Sequence, residues 1–202
     1  EEYGRFTCEP LERGFGATLG NALRRVMLSS LQGAAITAVK IEGVLHEFST
    51  IPGVMEDVSE IILDLKEVRL RLNAEGPRIL RVHKRGEGVL KAGELVAEDS
   101  AVEVVNPDHL ICTLSKNGSI NMQLKVRRGV GYQAANQYLV SEDESRPIGR
   151  LLLDASFCPV RRVSYSVETA RVEQRTDLDK LILDVETNGT MDCEAAVKMA
   201  AN

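Results

Sequence analysis

The chain has 202 residues, 44% of them hydrophobic, enough for one large domain or two small ones with a real core. Its 25 basic and 30 acidic residues leave a formal net charge of −5, which excludes a surface built mainly to neutralise phosphates and makes any nucleic-acid contact local. With 4% aromatic residues and no Trp, base stacking is excluded as a main recognition mode.

The chain opens on a strand expected to end near Cys8. The run from Glu9 to Ser30 then predicts one helix with two working faces. Leu19, Ala22, Leu23, Val26, Met27 and Ser30 follow the i, i+3, i+4, i+7 spacing of a buried stripe. Asn21, Arg24, Arg25 and Leu28 fall opposite. Gly16 and Gly20 remove bulk from one flank, so that another helix or strand approaches there closely. The helix is expected to stop between Ser30 and Gly33.

From Ile36 to Ile41 apolar residues alternate, and Val44 to Phe48 reads as extended. Pro52-Gly53 marks a turn before a helix striped by Val54, Val58, Ile61, Ile62 and Leu65. Val68, Leu70 and Leu72 alternate as a strand with one wet face. Leu110 to Leu114, Asn117-Gly118 and the alternation from Ile120 to Val126 predict a tight hairpin. The polar stretch from Gly129 to Ser145 is too long for an ordinary connection. Strands return around Val163 to Val167 and Leu181 to Val185, and a final helix capped by Thr190 or Asp192 carries Ala195, Ala196, Val197, Met199 and Ala200. Its apolar positions still recur at Asn202, so the natural polypeptide is expected to continue.

Chemistry-bearing patterns are missing. His46, His83 and His109 share no ligand spacing, and Cys8, Cys112, Cys158 and Cys193 form no Cys-x-x-Cys pair, so reduced thiols are expected. There is no nucleophile elbow and no phosphate loop. Gly14-Phe15-Gly16 and Gly20 miss the dinucleotide spacing by one residue. Asp177-Leu178-Asp179 lacks the array needed to chelate magnesium and reads as a solvated, salt-bridged turn beside Arg175 and Lys180, while Glu142-Asp143-Glu144 reads as a solvated loop. The chain is expected to be non-catalytic. No run reaches bilayer length and Glu1-Glu2-Tyr3 is unlike an export signal, so a cytoplasmic location is the expectation.

The segment Glu9-Pro10-Leu11-Glu12-Arg13-Gly14-Phe15-Gly16 through Leu19-Gly20-Asn21-Ala22-Leu23-Arg24-Arg25 resembles the signature of the bacterial RNA polymerase alpha-subunit family in its amino-terminal domain. Val44 to Val54, Arg146 to Leu152 and Ala170 to Leu181 agree with it in order and spacing, over essentially the whole chain. The resemblance implies a two-domain α+β fold: a discontinuous dimerisation domain, 1–32 plus 160–202, with a strand-rich α+β domain, 33–159, inserted.

It also implies a non-catalytic homodimer that scaffolds the beta and beta-prime subunits of DNA-directed RNA polymerase, with omega and sigma joining the holoenzyme. Magnesium and zinc would belong to the large subunits, with no cofactor in this chain. The first and last helices would form the dimer, through Leu19, Ala22, Leu23, Val26, Met27 and Val197. Arg25 would dock beta, with Arg24, Glu12, Arg13, His46, Glu47, Phe48, Ser49 and Thr50 as neighbours. Arg146, Arg150, Arg161, Glu173, Arg175, Asp177 and Lys180 would face beta-prime. Little or no direct DNA contact is expected from this domain, and no membrane contact. A carboxy-terminal DNA- and activator-binding domain has no counterpart in these residues, and the location implied is the bacterial cytoplasm at the nucleoid. Two other readings compete: a stand-alone α+β enzyme, and a nucleic-acid-binding module using Arg127, Arg128 and the loop to Tyr132.

Overall fold

A computed structural model describes residues 1–97, 100–137 and 148–202. They form a mixed helix-and-strand, α+β fold whose strand pairings are antiparallel. Contacts divide the chain into two compact units, Glu1–Gln32 with Cys158–Asn202, and Gly33–Phe157.

In the first unit, β1 (Tyr3–Leu11), β14 (Arg175–Thr187) and β13 (Val160–Val172) make a sheet in the order β1-β14-β13. Helices α1 (Phe15–Ser29) and α3 (Cys193–Ala201) pack on it. The two long strands join through Glu173-Gln174, where Glu173 takes a positive φ of 54°. Alternation in β14 sends Leu181, Leu183 and Val185 into the core with Leu23, Met27, Val163 and Ala196.

Helix α1 lies on this sheet through Gly16, Gly20, Leu23 and Met27. A side chain at Gly20 would place its Cβ 2.6 Å from Tyr165 Cδ2 and 2.8 Å from Leu181 Cδ1. The absent bulk therefore admits the strands of the same chain. Replacing Gly20 by Val is expected to cost about 1–3 kcal/mol of overpacking, outweighing the roughly 0.5 kcal/mol gained by leaving glycine; a urea midpoint at or above wild type would contradict this.

The helix has no side-chain cap of its own, since Gly14 sits at its N-terminus. Asp179 of β14 supplies the acceptor, taking hydrogen bonds from Gly14 N at 2.9 Å and Gly16 N at 3.2 Å. At the other end of the unit, Asp192 caps α3 by accepting from Glu194 N. Asp184 accepts from Arg5 Nε at 2.7 Å and from the Tyr3 hydroxyl at 2.6 Å. These donors hold its carboxyl below the usual carboxylate range. A depressed folded value stabilises above the unfolded carboxylate pKa of about 4 and is lost as pH falls through the folded one. Asp184→Asn is therefore expected to flatten the acid limb of the stability curve below about pH 4; a limb as steep as wild type would contradict the assignment.

The second unit holds a seven-stranded sheet among the described residues. Its order is β6 (Val96–Ala97), β4 (Arg78–Arg85), β9 (Ser119–Val130), β2 (Gln32–Ile41), β3 (Leu70–Leu72) and β7 (Val102–Val104), with β11 (Arg150–Leu152) also pairing β2. Two smaller ladders pair β5 (Gly88–Lys91) with β8 (Leu110–Leu114) and β10 (Tyr132–Gln133) with β12 (Ala155–Ser156). Helix α2 (Val58–Lys66) covers the core with Val58, Ile61, Ile62 and Leu65. A reciprocal Asp57–Glu60 capping box starts it, so Val54 lies outside the helix and bridges to Leu114 instead.

Two further expectations are corrected. Val44 to Phe48 is turn and loop, not strand. Leu110–Leu114 and Ser119–Val130 do not pair with each other: β8 pairs β5, and β9 pairs β4. Asn117-Gly118 carries the chain between two ladders, and Gly118 is needed because a Cβ there would lie 2.2 Å from the carbonyl oxygen of Gly53. That carbonyl accepts from Ser115 N, which fixes the crossing.

Candidate functional site: exposed faces of the two units

The burial of α1 is rotated from the expected stripe. Met27 is 0% exposed and Leu23 is buried, both packed in the core of their own unit. Leu19 stays 37% exposed, Ala22 is exposed, Val26 is half-buried and Phe15 is 60% exposed. At 100° per residue these four fall together on one edge, about 110° from the line of Gly16, Gly20 and Met27. The helix thus has two apolar edges. One is covered by β13 and β14, and the other is open.

Glycine explains the rotation. Two glycines in line present backbone, and backbone packs closer to a sheet than Leu or Val allows. Leu28, expected on the wet face, leans against the core as well. Val197 of α3 is half-buried against the same cluster, whereas Met199 is exposed.

The two arginines of α1 differ. Arg24 donates its Nε to the carbonyl of Val163 at 3.2 Å. Arg25 stands exposed, opposite the glycine line, and its guanidinium has no hydrogen-bond or ion-pair partner among the described residues. A planar fork of donors held out on a rigid helix is suited to a carboxylate or to carbonyls of another protein.

Other residues of the first unit fall at the hairpin end. Glu12 accepts from Arg175 at 3.1 Å, and Arg175 also reaches Asp177 at 3.4 Å. Residues expected to meet different large subunits are therefore paired with one another. Asp177 and Asp179 lie within strand β14 and not in a turn. Lys180 reaches Glu168 at 3.8 Å across the hairpin, and Arg13 and Arg161 are exposed.

In the second unit His46 to Thr50 is a turn. Ser49 Oγ lies 3.2 Å from His46 Nδ1, and α2 anchors the turn from behind through Val58 N to Ser49 O and Ser59 Oγ to Glu47 O. Phe48 is 80% exposed and Ile148 is 86% exposed. Leu45 to Phe48 and Ile148 to Leu151 line one open cleft. Arg150 therefore sits beside the His46–Phe48 turn; Arg146 lies outside the described residues. Leu45 and Ile148 escaped the sequence reading because an isolated apolar residue in a loop carries no periodic signal.

Buried titratable groups are scarce. Cys112 is fully buried in the strand β8 and its thiol is pushed up to about 12 by burial, which makes it a poor nucleophile. Among the described residues no three His, Cys, Asp or Glu side chains converge on a metal-sized space. No helix among them is long and apolar enough to cross a membrane.

Residues 39–158 match the family described as RNA polymerase Rpb3/RpoA insert domain. The chain belongs to this family. It is an alpha/Rpb3-type subunit of RNA polymerase, involved in assembly of the enzyme and associated with other polymerase subunits. The match covers β9, α2, the His46–Thr50 turn and the whole cleft beside it, so the exposed Phe48 and Ile148 lie in the matched part of a polymerase subunit involved in assembly. An alpha/Rpb3-type subunit is part of a nucleotidyltransferase complex.

Proposed function

We propose that the chain is the amino-terminal part of a bacterial alpha subunit and acts as a homodimer on which beta and beta-prime assemble. The open apolar edge of α1, Phe15, Leu19, Ala22 and Val26, carries this reading. Fully burying such side chains stabilises by about 1.5–3 kcal/mol each, and their exposure on a rigid helix is the mark of a surface covered in the working state. Joined by the outer side of α3 and their symmetric copies, they would supply an isologous interface in the ~2,000 Å² class.

In this reading the first unit, 1–32 with 158–202, is the dimerisation domain and the second is the insert. Beta docks on Arg25 and on the His46–Thr50 turn; beta-prime docks along the β13–β14 hairpin, where Arg161, Glu173, Arg175, Asp177 and Lys180 lie. Omega and sigma join later, magnesium and zinc belong to the large subunits, and the complex works in the bacterial cytoplasm at the nucleoid. Stepwise mixing tests the reading. The chain is expected to capture beta first and then beta-prime, with two copies of the chain per copy of each large subunit. A complex with one copy of the chain would overturn the reading.

A further inference from the structure

The sheet of the first unit ends on β13, with β14 on one side of it and no strand on the other among the described residues. The register tells which of its backbone groups are left over. Glu2 O accepts from Thr187 N, in line with the pairs Tyr3–Glu186 and Gly4–Val185. Hydrogen-bonded and non-bonded pairs alternate along an antiparallel ladder. Val185, Leu183 and Leu181 therefore turn their N–H and C=O groups to β1, and Glu186, Asp184, Ile182 and Lys180 turn theirs to β13. The partners of these four on β13 are Arg162, Ser164, Ser166 and Glu168. The residues between them, Val163, Tyr165, Val167 and Thr169, thus aim their backbone groups out of the sheet. The Val163 carbonyl agrees with this phase, because it accepts from Arg24 Nε at 3.2 Å. Beyond it, no group among the described residues bonds to the N–H and C=O of Tyr165, Val167 or Thr169.

An open edge is a template for pairing, and proteins blunt it with proline, a bulge or short length. The other edge strand, β1, is blunted: it contains Pro10, and its register shifts between Cys8 and Leu11. β13 is not. It runs for 13 residues without proline or glycine, and its register is unbroken from Arg162 to Ala170. We propose that this edge takes an extended segment of another polymerase subunit as a fourth strand; resting on the assembly reading above, that subunit is beta-prime. Alternate residues of the added strand would meet unlike surroundings. On the helix side they would lie against Tyr165, Val167, which is 39% exposed, and the exposed Ala17 of α1, which shares the flank that Arg24 turns to β13. On the outer side they would run beside Ser164, Ser166 and Glu168. A segment alternating apolar and polar residues fits, held by its main chain and selected by its apolar side. A second copy of this chain fits poorly, since an isologous pairing here, added to one along α1, would join dimers into an open filament.

Val167→Pro is the test. The Val167 N–H points away from β14, so proline there breaks no ladder bond and is tolerated in an edge strand, yet it removes a donor and sets a ring against an incoming strand. The dimer of this variant, loaded with beta, is expected to bind beta-prime on the order of 100-fold more weakly, because a buried carbonyl of the added strand loses its partner. Val167→Thr keeps the N–H and the branched shape, and is expected to bind within about 5-fold of wild type. Residue-resolved hydrogen exchange on wild type is the second measurement, independent of whether the proline variant folds. The Tyr165, Val167 and Thr169 amides should exchange fast in the dimer and slow by on the order of 10-fold or more once beta-prime is bound, while the Ser166 amide is slow in both. Wild-type binding by Val167→Pro, equal losses for the proline and threonine variants, or exchange at the three amides unchanged by beta-prime would each overturn the proposal. Amides already slow in the dimer, as a second copy on the edge would make them, would overturn it too. If wild type fails to bind beta-prime, the assembly reading and the strand fall together; if wild type binds and the proline variant binds equally, the strand alone falls.

Discussion

Arg25→Ala is expected to abolish stable capture of beta while leaving the chain folded and dimeric. The guanidinium is exposed and has no partner among the described residues, so its removal exposes no buried group and opens no cavity. Truncating an arginine at the centre of an interface typically costs 2 kcal/mol or more, at least about 30-fold in affinity. Arg24→Ala is expected to behave differently. Its Nε already satisfies the Val163 carbonyl, so part of its loss falls on the helix–sheet contact and less on beta. Surface plasmon resonance with immobilised beta separates the two, and equal losses for both variants would argue against Arg25 as the anchor.

Leu19→Asp combined with Val26→Asp is expected to give a folded monomer. Both side chains lie on the open edge, where a carboxylate in the single chain remains in water, but two pairs of them brought together across a dimer would be desolvated without partners. Met27→Asp is the contrasting substitution. It places a charge in a site with no solvent exposure and is expected to unfold the first unit, since an uncompensated buried charge costs more than such a unit's margin. Sedimentation velocity and circular dichroism distinguish the outcomes. A double variant that still sediments as a dimer would move the interface elsewhere.

The local physics of this chain was legible before its three-dimensional arrangement. The stripe of α2, the Asp192 cap, the alternation in β13 and β14 and the turn at Pro52-Gly53 all follow from periodicities and caps that act within a few residues. The edge of α1 that faces the sheet did not. Hydrophobic spacing favours Leu19, Ala22 and Val26 as core, and the sheet instead selects the glycine line, because close approach to Tyr165 and Leu181 gains more contact than a wider, bulkier fit.

Strand partners were equally hidden. Asn117-Gly118 between two alternating runs is the usual mark of a hairpin, yet β8 and β9 enter different ladders because Gly53 approaches the turn and residues far along the chain claim both strands. Of the candidate surface, the exposed Arg25 and the Phe48 turn could be named from sequence. The neighbours Leu45 and Ile148 required the pairing of β2 with β11, strands more than a hundred residues apart.

The most direct test of the two-edged helix is the solution mass of the unmodified chain by light scattering at micromolar concentration. The account predicts about 44 kDa, twice the 22.2 kDa of one chain. A mass of one chain, unchanged up to tens of micromolar, would mean that Phe15, Leu19, Ala22 and Val26 face only water, and would contradict it.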